Sequence, residues 1–140
     1  MRIISGNLKG RKIAQPNSNN TRPLKDLTKE SIFNIMEHSN LLKFSFEKST
    51  ILDLFSGVGS FGLECISRGA KNVIFLDPPY KEKKLNILLK DIIYLKLLKK
   101  NGIIIIHRNK KDNEFYPKEF KILKTKIYGI SKIIFGLIAQ

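Results

Sequence analysis

Acid is scarce in this 140-residue chain: 12 Asp and Glu stand against 26 Lys and Arg, a formal net charge of +14 with a pI near 10.0. An excess of that size attracts anionic partners. Cysteine is nearly missing as well. Cys65 alone builds neither a disulfide framework nor a cysteine-rich zinc site, so a packed core thiol in a reducing cytoplasm is expected. There is no secretory h-region, and no apolar run approaches the roughly 20 residues that cross a bilayer. Neither a membrane nor a metal is therefore expected among the partners. Internal repeats are absent. The length suits a single domain, 1–140, able to bury roughly 65–70% of its unfolded surface.

The informative stretch is Ile51 to Tyr80, ILDLFSGVGSFGLECISRGAKNVIFLDPPY. Ile51 to Phe55 reads as a buried strand, and Gly57-Val58-Gly59-Ser60-Phe61-Gly62 follows as a G-x-G-x-x-G match. Phe61, Cys65 and Ile66, with Leu63 beside them, fall on one helical face, and Gly69 supplies a helix end. Strand, glycine turn and helix together let the backbone approach a ligand and aim helix-start amides at a carboxylate or phosphate. By itself the motif is weak, and a plain tight turn competes with it.

Asn72 to Leu76 is a second strand, running straight into Asp77-Pro78-Pro79-Tyr80. The prolines stiffen the tetrad into an arm at the strand's carboxyl end, where ligands of open α/β sheets bind. Asp77 offers a carboxylate oxygen, Pro78 a backbone carbonyl and Tyr80 a stacking face. Two acceptors and a ring suit a flat base with an exocyclic amine, oriented for attack on an electrophilic methyl group. A rigid surface turn is the competing reading.

Before this stretch, Arg2 to Ser5 and Arg11 to Ala14 read as short strands of a hairpin around Gly6 to Gly10. Gln15 to Asn20 reads as a linker, and Leu27 to His38 as a helix with Asp26 or Thr28 as cap and Ile32, Phe33, Ile35 and Met36 buried. His38 reads as a solvated helix end. Beyond Tyr80, Leu85 to Lys99 repeats leucine and isoleucine at helical spacing (Leu85, Leu88, Ile92, Leu95), and Ile103 to Ile106 suits a strand buried on both faces. His107 reads as an exposed strand end. Lys110 to Lys118 is polar and loop-like, and Phe120 to Ile127 with Ser131 to Ile138 make a terminal hairpin. Lysine supplies 21 of the 26 basic residues, which a biased gene composition explains as readily as RNA contact. Arginine, the better phosphate fork, clusters at Arg2, Arg11 and Arg22, which favours RNA.

With these motifs in place, Met1 to Ile13, Thr21 to Met36, Ile51 to Ala70, Asp77 to Tyr80, NGIIII from Asn101 and YGISKIIF from Tyr128 resemble the bacterial 16S ribosomal RNA guanine-N2 methyltransferases. The resemblance implies an α/β, Rossmann-like class I S-adenosylmethionine-dependent fold, here with a reduced sheet, an N-terminal β-hairpin and a C-terminal antiparallel hairpin. It implies S-adenosylmethionine as cofactor, 16S ribosomal RNA or the small ribosomal subunit as partner, and a cytoplasmic monomer. Asp53, Phe55, Gly57 and Gly59 would hold the donor. Asp77, Pro78 and Tyr80 would present the guanine amine, and Arg2, Lys9, Arg11, Lys12 and Arg22 would hold RNA, with 1–20 a basic hairpin and linker and 21–140 the core. Leu27 stands where relatives usually carry arginine.

One departure is large. In the family, two further strand-helix units separate the strand after the first helix from the Asp-Pro-Pro-Tyr strand, and the first ends in an acidic ribose ligand. Here nothing intervenes between Leu76 and Asp77, and a βαβ unit needs roughly 30 residues. The strand Asn72 to Leu76 thus has two addresses, one on each side of Ile51 to Phe55. That of the Asp-Pro-Pro-Tyr strand is favoured, because a helix and strand then follow normally. Two rival functions remain: a DNA adenine methyltransferase, whose acceptor amine fits the same tetrad, and a basic RNA-binding remnant without catalysis.

Overall fold

The computed structural model describes residues 1–14, 26–76 and 84–139. Its contacts divide the chain into two units, Met1–Tyr80 and Lys81–Gln140.

The first unit contains α1 (Asp26–His38), a short 3-10 turn (Phe46–Lys48), β1 (Thr50–Leu54), α2 (Ser60–Ser67) and β2 (Asn72–Leu76). Asp26 in the first turn of α1 complements the helix dipole. Ile32, Phe33 and Met36 are buried as their spacing predicts, whereas Ile35 is half-buried. Phe33 is the centre of the packing: its ring lies 5.7 Å from Phe46 and 4.9 Å from Phe61, and the Arg68 guanidinium sits 4.5 Å above it. β1 and β2 pair in parallel with Thr50 opposite Asn72 and Leu54 opposite Leu76, and α2 connects them. β2 is therefore a direct neighbour of β1, as either address requires.

Two expectations for this unit need correction. The N-terminal strands shrink to a single antiparallel bridge, Arg2 with Lys12, because the chain between them is taken up by turns with Gly6 and Gly10 at φ 81° and 85°. The buried face of α2 is also not the apolar one. Cys65 is fully buried, but Ile66 is 41% exposed while Ser60, Glu64 and Ser67 are buried. The reason is the partner: α2 meets backbone amides of the N-terminal segment, which need acceptors.

The second unit contains α3 (Leu85–Tyr94), β3 (Ile103–Asn109), β4 (Phe120–Tyr128) and β5 (Ser131–Ile138), the strands forming an antiparallel sheet in the order β3-β5-β4. The terminal hairpin is present as read, with β3 added on its far side. Ile133 to Gly136 of the central strand are buried, whereas in β3 only Ile106 is fully covered, since β3 lies at an edge. α3 stops five residues short of Lys99. Lys96 adopts φ 51°, and the amides of Lys96 and Leu97 turn back to the carbonyls of Ile93 and Ile92, closing the helix and leaving Leu95 exposed. Leu89 and Ile92 form its buried face.

Candidate donor site and nucleic-acid contacts

At the carboxyl end of β1 the chain makes three positive-φ steps, Phe55 at 67°, Gly57 at 51° and Gly59 at 72°. Gly59 is the N-cap of α2, and its amide closes the turn on the Ser56 carbonyl at 2.7 Å. Ser56, Gly57, Val58, Gly59 and Leu63 line a depression of about 300 Å³. Among the described residues a side chain at Gly57 would meet nothing within 4 Å, so the backbone angle, not crowding, selects glycine there. Phe55 has no such freedom. A bulky residue held at positive φ is strained, and its side chain is 41% exposed at the rim of the turn.

Asp53 stands two residues before that turn and accepts a hydrogen bond from the Gly62 amide at 3.1 Å. A carboxylate at a helix start is favoured by the dipole and satisfies an amide that lacks an intrahelical partner. Asp53 thereby braces the glycine turn against α2. The four residues read as donor ligands, Asp53, Phe55, Gly57 and Gly59, are thus brought together on one short segment.

The structure adds a buried cluster that periodicity did not reveal. Glu64 accepts from the backbone amides of Ile4 at 2.8 Å and Ser5 at 3.0 Å, and from Arg68 Nε at 3.0 Å. Lys29 Nζ lies 3.7 Å from the same carboxylate and donates to the Arg2 carbonyl at 2.9 Å. Ser67 accepts from the Leu8 amide through Oγ and from the Asn7 amide through its carbonyl, at 3.0 and 2.8 Å. The N-terminal segment is therefore clamped along the helix that begins at the glycine turn. The only trace of this in the sequence is the Glu64–Arg68 spacing of four, an ordinary helical pair. Cys65 is buried beside the cluster. Burial pushes its thiol well above the ordinary range, with Asp53 and Glu64 adding to the shift and Arg68 opposing it.

The clamp leaves the side chains of Arg2, Lys9, Arg11 and Lys12 exposed. Arg22 and the tetrad residues Asp77, Pro78 and Tyr80 lie outside the described residues. His107 sits within β3 and makes a 3.0 Å hydrogen bond with Ser131 Oγ, and desolvation lowers its pKa. Among the described residues no group of three or more His, Cys, Asp or Glu could hold a metal ion, and no helix is long and apolar enough to cross a membrane.

A profile of the family described as "Conserved hypothetical protein 95" matches residues 1–74 and again residues 70–136. The chain belongs to that family. Among its relatives is "Ribosomal RNA small subunit methyltransferase D" of Buchnera aphidicola, 30% identical over 89% of this chain and 86% of the relative. Another is "Putative rRNA methyltransferase YlbH" of Bacillus subtilis, 42% identical over 58% of this chain but only 41% of the relative. In fold the chain is similar to "Putative methyltransferase yhhF" of Escherichia coli, with a TM-score of 0.73, 19% identity and coverage of 99% of this chain and 98% of the other.

The family match also bears on the expected gap. Its two segments overlap at residues 70–74, the approach to and first half of β2. The Buchnera alignment runs over 171 positions while using 89% of 140 residues, so about 46 positions of it face no residue of this chain.

Proposed function

We propose that this chain is an S-adenosylmethionine-dependent methyltransferase that modifies the exocyclic amine of a guanine in 16S ribosomal RNA, acting as a single Rossmann-like domain over 1–140. The observation that carries the reading is the glycine turn lining its depression at the end of β1, with Gly59 capping α2 and Asp53 bracing it from below. Such a turn fits the carboxylate end of an amino-acid-bearing donor, because backbone amides at a helix start favour an anion and no side chain at Gly57 stands in its way. S-adenosylmethionine, when bound, supplies an electrophilic methyl group.

In this reading Gly57 and Gly59 let the backbone approach the donor, Asp53 holds the turn, and Phe55 stands at its edge. Asp77 and the Pro78 carbonyl accept the hydrogens of the guanine amine while Tyr80 stacks on the base, so that catalysis is chiefly orientation. Arg2, Lys9, Arg11 and Lys12, exposed on the clamped N-terminal segment, and Arg22 hold RNA phosphates. The names of the curated relatives support ribosomal RNA as acceptor.

The test is transfer of a radiolabelled methyl group to unmodified small-subunit particles, with duplex DNA in parallel. Incorporation into the particles supports the proposal; incorporation into DNA alone assigns an adenine methyltransferase. A second reading, a basic RNA-binding remnant without catalysis, is favoured by the positions missing around β2, where a ribose-binding acid would be carried. Particle binding without incorporation would select it.

A further inference from the structure

β4 is an edge strand and carries Lys121, Lys124 and Lys126. In an unbroken strand, alternation would send Lys121 and Lys124 to opposite faces. A register shift between Ile122 and Lys124 prevents this. The three lysines stand opposite Leu137, Phe135 and Ile133, alternate residues of β5, so all three leave the same face of the sheet. Successive lysines are therefore two strand residues apart, about 6.7 Å, comparable with the separation of neighbouring phosphates along an RNA strand. Tyr128, opposite Ser131, continues the row on that face and is half-buried.

Among the described residues, nothing neutralises the charges of this row. Arg108 is paired with Glu114 at 3.0 Å and Lys132 donates to the Asp112 carbonyl at 2.6 Å, but Lys121, Lys124 and Lys126 make no ion pair or side-chain hydrogen bond among the described residues. Glu119, just before the strand, bounds the row at its other end.

We propose that Lys121, Lys124 and Lys126 form a phosphate-tracking edge that holds one strand of RNA, with the Tyr128 ring offered to an unpaired base at its end. The proposal rests on the reading of RNA as substrate and adds a second contact region, on β4, to the N-terminal one. A row of basic side chains ending in an aromatic ring is suited to single-stranded RNA, whose phosphates take lysine without regard to sequence and whose bases present stacking faces. Lysines on an edge strand also deter strand-to-strand association, and the experiment separates the two roles.

The probe is a fluorescein-labelled single-stranded RNA, titrated against the full chain and its Lys121→Gln, Lys124→Gln, Lys126→Gln triple variant over a range of salt. Three lost contacts should lower the slope of log affinity against log salt by about 2. In parallel, amine acetylation of the unaltered protein should show the three lysines protected by the RNA, with Lys96 and Lys99 as unprotected references. An unchanged slope in a folded variant, together with unprotected lysines, overturns the proposal, as does aggregation of the variant with no change in slope. If the variant does not fold, the acetylation pattern decides alone. Methyl transfer with lysine-independent binding would sink this inference only; lysine-dependent binding without methyl transfer would sink only the enzymatic reading.

Discussion

Glu64 of α2 and Lys29 of α1 face one another at 3.7 Å with both side chains wholly excluded from solvent. Removing one partner of such a pair leaves the other charge buried, which is far more damaging than the pair's net contribution suggests. Glu64→Ala is expected to lower stability by about 3–5 kcal/mol in urea denaturation. Glu64→Gln, whose single carbonyl oxygen serves only one of the Ile4 and Ser5 amides, should still lose less than alanine, which serves neither. A loss below about 1 kcal/mol for Glu64→Ala would mean that the Lys29 bond to the Arg2 carbonyl suffices without the carboxylate.

Gly6 tests the clamp from the other side. It adopts φ 81°, and an added Cβ would overlap the Ser67 carbonyl, whereas Gly10 at φ 85° has nothing within 4 Å of that point. Gly6→Ala should speed hydrogen exchange at the Asn7 and Leu8 amides, both held by Ser67, and Gly10→Ala should not. Equal protection in both variants would show that backbone strain, not docking on α2, governs the segment.

His107 imposes a direction on the pH dependence. Its unfolded ring titrates near 6.5, and desolvation lowers the folded value. Between the two values the unfolded chain binds more protons, so this contribution is complete above 6.5 and is lost as pH falls through the folded value. Thermal midpoints of His107→Gln should fall less than those of the parent between pH 7 and 5, at about constant ionic strength. Parallel curves would assign the acid sensitivity elsewhere.

Lys96 occupies a left-handed position that glycine usually fills. Lys96→Gly removes a penalty of about 1–2 kcal/mol and adds about 0.4–1 kcal/mol of unfolded-chain entropy. A net gain of about 0–1.6 kcal/mol in the unfolding free energy is expected. Destabilisation would show that the lysine stem contributes packing at the end of α3.

Local rules determined much of this protein before any packing was considered. The β1–α2–β2 order follows from a buried run, a glycine turn and a helical repeat, and Gly69, at φ 97°, ends α2 where a glycine C-cap predicts. The β4–β5 hairpin and the buried Cys65 were legible for the same reason: alternation and apolar spacing act over a few residues. The family, too, was readable, since its motifs are short and ordered along the chain.

Only the tertiary structure decided the rest. α3 ends at Tyr94 because lysine takes the cap angle, and no rule of composition marks Lys96 for it. Ile66 is exposed and Glu64 buried because amides more than fifty residues away need a carboxylate, a demand invisible in α2 itself. Likewise, Lys121 and Lys124 share a face because the pairing of β4 with β5 slips at one residue. Periodicity records which side chains can share a surface; which surface is covered, and by what, is set by partners distant in sequence.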